Sequence, residues 1–281
     1  MRSAEADSMN GAVQKIERIK SVFLDTQLFY AKHTESAALT SYLENAEAEF
    51  RSIAYESVSV AIALDELEKK QRLDTWLLYA KGPALAHQAQ VYVGLGWAIA
   101  KLNLPFLPVV EKIDSRLHHR VADGCGYYDG GFRQRQAVMG LQLPAYLPEA
   151  LLQAYDQGIG RSLWYTSNAD SSRVRSRIAG FPAHRQADLW RGVGIAVTYA
   201  GGCDDELLKT VLQYAGAHRL QLAGGAALAA QSRINAKTIT ADTERCARLW
   251  FELTADESGL TYTEWVNQAD QWLAGIFEKN Q

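Results

Sequence analysis

VGLGWAIA (93–100) and VGIAVTYA (193–200) decide the fold class of this 281-residue chain. Both stretches are apolar, and both set glycines into a pattern that otherwise reads as helix. In a helix interior each glycine costs about 1 kcal/mol relative to alanine, so something must compensate. Close approach of two helices is the usual compensation, and backbone facing a ligand is the rarer one. The stretches lie 100 residues apart, which points to an internal duplication. Upstream, FRSIAYESVSVAIALDE from Phe50 can be laid against YDQGIGRSLWYTSNADS from Tyr155 with a small insertion. Downstream, Gly130 and Gly131 fall opposite Gly224 and Gly225.

The rest of the chain agrees with helix. Six prolines, Pro83, Pro105, Pro108, Pro144, Pro148 and Pro182, punctuate long intervals of helix formers. Apolar residues recurring at three and four predict helices over about 43–70, 121–138 and 204–233. Alternating strand patterns with tight-turn dipeptides are nearly absent, and the β-branched run 238–240 is too short to read as a strand. The expectation is an all-α fold: a helical extension over 1–40, then one duplicated domain over 41–281. Its repeats span about 41–140 and 146–240 and are related by a pseudo-two-fold. Helices around Gly94 and Gly194 would meet near that axis, a natural place for a cavity between helices.

Composition excludes several function classes. The formal net charge is −3, far from the basic field that binding a phosphate backbone requires, so no nucleic-acid partner is expected. Arg173, Arg175 and Arg177 form a local cluster, but their spacing spreads them around a helix surface. Cys125, Cys203 and Cys246 are far apart and odd in number, which argues against a disulfide framework and for a reducing cytoplasm. The polar, acidic start MRSAEADSMNGAVQKIE resembles neither a signal nor a transit peptide, and the longest apolar stretch is too short to span a bilayer.

Nucleotide, metalloprotease and serine-hydrolase signatures are missing, and the six histidines lack ligand spacing, so no metal or cofactor is expected. DDELLK (204–209) resembles the aspartate-rich magnesium motif of class I terpene synthases. Behind Gly201 and Gly202, however, Asp204 is better read as a helix N-cap with acids in the first turn, although recruitment of a metal through Asp204 and Asp205 stays open. Two segments remain as chemistry. DGCGYYDGGFRQR (123–135) gathers Asp123, Asp129, two tyrosines and arginines, with Asp129 and Arg133 four apart and able to pair. DQGIGRSLW (156–164) sets Asp156 near Arg161, either as a raised-pKa acid–base group or as a buried ion pair fixing the docking of the repeats.

FRSIAYE (50–56), YVGLGWAIAKL (92–102), DGCGYYDGGF (123–132), DQGIGRSLWY (156–165) and FPAHRQADLWRGVGIAVTYAGG (181–202) resemble, in order and spacing, the UnbL-like proteins of enediyne polyketide biosynthetic cassettes. The resemblance covers about two-thirds of the chain. That family shows His where this chain has Tyr92, and a His-Glu pair where it has Tyr128 and Asp129.

The resemblance implies specialised-metabolite biosynthesis. The acids among glycine- and aromatic-rich helices suggest a cofactor-independent cyclase or isomerase, or a lyase-type enzyme, acting on a hydrophobic polyene or isoprenoid-like substrate. Glu56, Asp123, Asp129 and Asp156 are the candidate catalytic acids. Tyr128, Arg161, Trp97, Trp164, Trp190 and Tyr199 are the candidate substrate-binding residues. The alternative is a non-catalytic partner that binds a polyketide synthase, a carrier protein or a hydrophobic intermediate. A homodimer is a further candidate assembly.

Overall fold

In the computed structural model, residues 2–33, 36–69 and 72–251 are described, and among them every regular element is a helix. The order is α1 (Arg2–Lys32), α2 (Ser36–Glu44), α3 (Arg51–Lys69), α4 (Asp74–Lys81), α5 (Gln88–Leu102), α6 (Phe106–Val110), α7 (His118–Phe132), α8 (Leu152–Thr166), α9 (Ser171–Ala179), α10 (Ala183–Ala200), α11 (Asp205–Ala215), α12 (Arg219–Asn235) and α13 (Ala241–Phe251). The all-α expectation holds, and no described helix is long and apolar enough to cross a membrane.

Three expected helices are broken or shortened, each for a local reason. The interval 43–70 is interrupted because Asn45 turns its side-chain amide back onto the Ser41 carbonyl (2.8 Å) and α3 restarts only at Arg51. The run 121–138 ends as α-helix at Phe132, and Arg135–Met139 continues as one π-helical turn. Gly216, at φ 55°, stops α11 and separates it from α12 within the run 204–233. At its other end α11 is capped as the sequence suggests: the Asp204 carboxylate accepts the Leu207 amide at 2.9 Å.

The chain divides into two compact units. One runs Ile16–Gly158; the other joins the described residues up to Lys15 to those from Ile159 onward. In the first unit α3, α5 and α7 pack in succession. A Cβ on Gly96 would fall well inside van der Waals contact of the Val121 carbonyl, with Cys125 N at 2.7 Å and Gly124 Cα at 2.8 Å. Conversely, one on Gly124 would strike Val93 of α5. Only two glycines facing each other let these backbones meet. In the second unit Gly194 and Gly225 do the same for α10 and α12, against Leu222 and Arg191 respectively. The glycines of the opening stretches therefore serve close helix packing. Gly94 makes its tight approach to Glu56 and Ser59 of α3.

Several buried polar groups of the first unit satisfy one another, while the Thr26 hydroxyl, the Gln90 side-chain oxygen and the Trp97 indole N–H are buried without a hydrogen-bond partner. The Ser59 hydroxyl donates to the Val91 carbonyl (2.6 Å) and accepts the Trp76 indole N–H (2.7 Å), tying α3 to α5 and α4. Buried Glu66 accepts the backbone N–H groups of Thr75 and Trp76 at 3.1 and 3.0 Å, so a carboxylate from α3 satisfies the first turn of α4. Cys125, Cys203 and Cys246 are free and buried.

Candidate functional site

Helix α7 is glycine-rich enough to lie close to its neighbours, and that closeness sinks its acids. Asp123 and Asp129 are 3% and 4% exposed. Asp123 accepts a hydrogen bond from the Gln157 amide of α8 at 2.7 Å. Asp129 is more elaborately held. Its Oδ1 faces the Arg133 guanidinium at 3.1 Å, the four-residue pair that the sequence suggests. Its Oδ2 accepts the Tyr146 hydroxyl at 2.9 Å and the Tyr155 hydroxyl at 3.0 Å. Three separate chain segments thus converge on one carboxylate: the end of α7, the loop before α8, and the first turn of α8.

The electrostatics of the cluster follow from burial. Desolvation raises the Asp129 pKa, and the tyrosine hydrogen bonds and Arg133 only partly oppose it. Burial and the neighbouring carboxylate push both tyrosines far up, so they stay neutral donors. The Cys125 thiol, one helical turn before Asp129 and within hydrogen-bond reach of Tyr146, is raised for the same reason. A carboxyl with raised proton affinity, contacted by neutral hydroxyls, is suited to both giving and taking a proton.

An aromatic cluster sits on the same part of the first unit. Trp97 of α5 lies 5.5 Å from Tyr127, 5.8 Å from Tyr128, 5.3 Å from Phe132 and 5.2 Å from Phe23. Phe132 stacks on Tyr128 at 5.0 Å and is 65% exposed. The Arg133 guanidinium that pairs with Asp129 also lies over the Tyr128 ring, 5.5 Å from its centroid. The rings and the acid are therefore joined through one arginine.

The first unit thus brings Asp129, Asp123, Tyr128 and Trp97 onto α7 and its neighbour α5. Glu56 on α3 and Asp156 on α8 are buried in the same unit, at 4% and 3% exposure. Arg161, Trp164, Trp190 and Tyr199 are buried in the second unit. There, the Tyr199 ring lies under the Arg233 guanidinium at 4.2 Å and its carbonyl accepts from the same side chain at 2.6 Å. Among the described residues no three His, Cys, Asp or Glu side chains are arranged to hold a metal ion.

A family model described as "Protein of unknown function (DUF1702)" matches residues 4–274. The chain belongs to the DUF1702 family. No curated protein and no solved structure matches it. The DUF1702 match spans both units and all of the residues discussed above.

Sequence reasoning missed Tyr146 and Tyr155. Tyr155 stands one position ahead of the DQGIG segment, and Tyr146 lies between Pro144 and Pro148 in a loop without periodicity. It also missed a buried pair between α3 and the turn before α5: the Ser52 hydroxyl meets His87 Nδ1 at 2.7 Å while the Tyr55 ring stacks on the imidazole at 4.0 Å. Burial lowers the His87 pKa to about 4.

Proposed function

We propose that this protein is a biosynthetic enzyme of specialised metabolism, a cyclase or isomerase that moves protons on a hydrophobic, polyene- or isoprenoid-like substrate. Asp129 is its acid–base group. The observation that carries the reading is the buried Asp129 carboxyl, its proton affinity raised by burial, contacted by two tyrosine hydroxyls and an arginine beside an aromatic cluster. In its acid form Asp129 gives a proton to an olefinic carbon. As carboxylate it takes one back from a neighbouring carbon, so the enzyme ends in its starting protonation state. The ring faces of Trp97, Tyr128 and Phe132 stabilise positive charge on the substrate in between. The motif resemblance to UnbL-like proteins supports an enediyne-type polyketide setting. Glu56, Asp123 and Asp156 are then packing acids that position α3, α7 and α8.

The duplication fits this reading in a revised register. Aligning Gly96 with Gly194 and Gly124 with Gly225 makes the close contacts equivalent. Gly96 and Gly194 each abut the carbonyl three residues before the partner glycine. Gly124 and Gly225 each abut the backbone of the residue three before theirs. In this register Asp123 falls opposite Gly224 and Asp129 opposite Ala230, so the second copy keeps the packing device and lacks both α7 acids.

Exposed Phe132 and Met139 (65% and 73%) favour a second reading, a non-catalytic partner that shields a polyketide synthase intermediate. Amide substitutions at Glu56, Asp123, Asp129 and Asp156 in a reconstituted pathway separate the two. The enzyme reading expects loss of product from Asp129→Asn of at least about 100-fold, in the range of general acid–base catalysis. Undiminished product from Asp129→Asn sinks it, and undiminished product from all four variants supports the partner reading.

A further inference from the structure

The segment that carries Tyr146 is built differently from the helices around it. Between the α7 C-cap Arg133 and the start of α8, residues 134–148 contain one π-helical turn, Arg135–Met139, and then Leu141 at φ 55°, a left-handed conformation that costs a branched side chain energy. Only Ala137 and Leu147 of the segment are buried, while Met139 and Leu143 are 73% and 49% exposed. One backbone hydrogen bond, from the Phe106 amide to the Tyr146 carbonyl (3.0 Å), ties it to α6. Its side-chain tie to the acid is the Tyr146 hydroxyl on Asp129 Oδ2. Tyr155, the other hydroxyl on that oxygen, belongs to α8 and is fixed by the helix.

We propose that residues 134–148 are a strap that opens over Asp129, latched by the Tyr146 hydroxyl, and that its opening admits a long apolar substrate to the carboxyl, while Arg133 stays with the end of α7. This rests on the acid–base reading of Asp129 for its purpose but not for its existence. Few buried anchors, a strained residue and a π-turn make the segment the part of this unit cheapest to lift, and α5 and α7 stay packed when it does. The apolar side chains Phe132, Met139 and Leu143 would line the opened edge, which fits an apolar ligand better than a charged one. Breaking the latch leaves Asp129 with Tyr155 and Arg133, so the acid keeps partners while the strap is open.

Cys125 reports the motion, because its thiol is wholly buried behind Tyr146 and unreactive until uncovered. The full chain is treated with iodoacetamide under native conditions, and alkylation of each cysteine is followed by peptide mass spectrometry. Tyr146→Phe should raise the Cys125 rate by about tenfold or more, the loss of one hydrogen bond to a charged acceptor, with Cys203 and Cys246 unchanged. Tyr155→Phe should leave all three rates near wild type. Equal Cys125 rates in wild type and Tyr146→Phe, or a parallel rise at all three cysteines, overturns the strap. Hydrogen exchange on the wild-type chain gives an independent test that needs no variant. Amides of 134–143 should exchange at least tenfold faster than those of 121–130, and equal protection overturns the proposal. Neither readout involves turnover, so a failed strap and a failed catalytic assignment are told apart.

Discussion

Gly96→Ala is the perturbation for which the structure dictates the size of the effect most directly. The added methyl group would meet backbone on the facing helix, with Cys125 N at 2.7 Å and Gly124 Cα at 2.8 Å and the Val121 carbonyl closer still. Ordinary contact begins near 3.4 Å. None of these atoms is the end of a flexible side chain, so α5 and α7 must separate by about 1 Å where they cross, a gap that forfeits a quarter to a half of the local dispersion wells. Overpacking of this kind costs about 1–3 kcal/mol, with the upper end expected when backbone must move. Alanine returns about 1 kcal/mol of helix propensity, so net destabilisation of about 2 kcal/mol is expected. Gly131→Ala is the internal control, since nothing lies within 4 Å of its Cβ position. There only the propensity gain of about 0.5–1 kcal/mol remains. Urea unfolding followed by far-UV circular dichroism measures both variants against wild type. If Gly96→Ala is as stable as Gly131→Ala, the glycine-mediated contact between α5 and α7 is not what the helix glycines are for.

Two other expectations concern polar groups inside the first unit. Glu66→Gln keeps one acceptor where two backbone N–H groups now find a carboxylate, so the start of α4 should lose about 1–3 kcal/mol, read as a lower urea midpoint. Burial holds the His87 pKa at about 4, below its usual 6.5, so the folded chain prefers the neutral imidazole. The resulting stability is fully present above pH 6.5 and is lost as pH falls toward 4, where the folded imidazole also protonates. Between pH 6.5 and 4.5 wild type should lose about 2–3 kcal/mol more than His87→Gln. Parallel pH profiles for the two proteins would contradict this account of the Ser52–His87 pair.

What could be read from the sequence were the effects that act within one helix. Glycines in apolar helical stretches implied close packing, and Gly96, Gly124, Gly194 and Gly225 all provide it. Asp204 announced a helix start, and the four-residue spacing of Asp129 and Arg133 announced their pair. Aligning VG with VG puts Gly94 opposite Gly194, whereas Gly96, not Gly94, makes the helix contact that resembles that of Gly194. A two-residue shift rotates a helix by more than half a turn, so only contacts distinguish the two registers. The missing half of the site lies in pairings across long separations. Tyr146 is 17 residues from Asp129 and sits in a loop; Tyr155 is 26 residues away. No periodicity encodes such a meeting. The break at Asn45 was hidden because one side chain competes with a helix that every neighbour favours.

All of the chemistry assigned to this protein depends on one carboxyl having a raised proton affinity inside the fold. The most direct test is a carbon-13 NMR titration of the side-chain carboxyls of the full chain, with the Asp129 resonance assigned by comparison with Asp129→Asn. The account predicts that Asp129 titrates clearly above the usual range of an aspartate, and higher still in Arg133→Gln, where the opposing guanidinium is gone. An Asp129 that titrates at or below the ordinary aspartate value would contradict it, leaving a packed structural ion pair in place of an acid–base group.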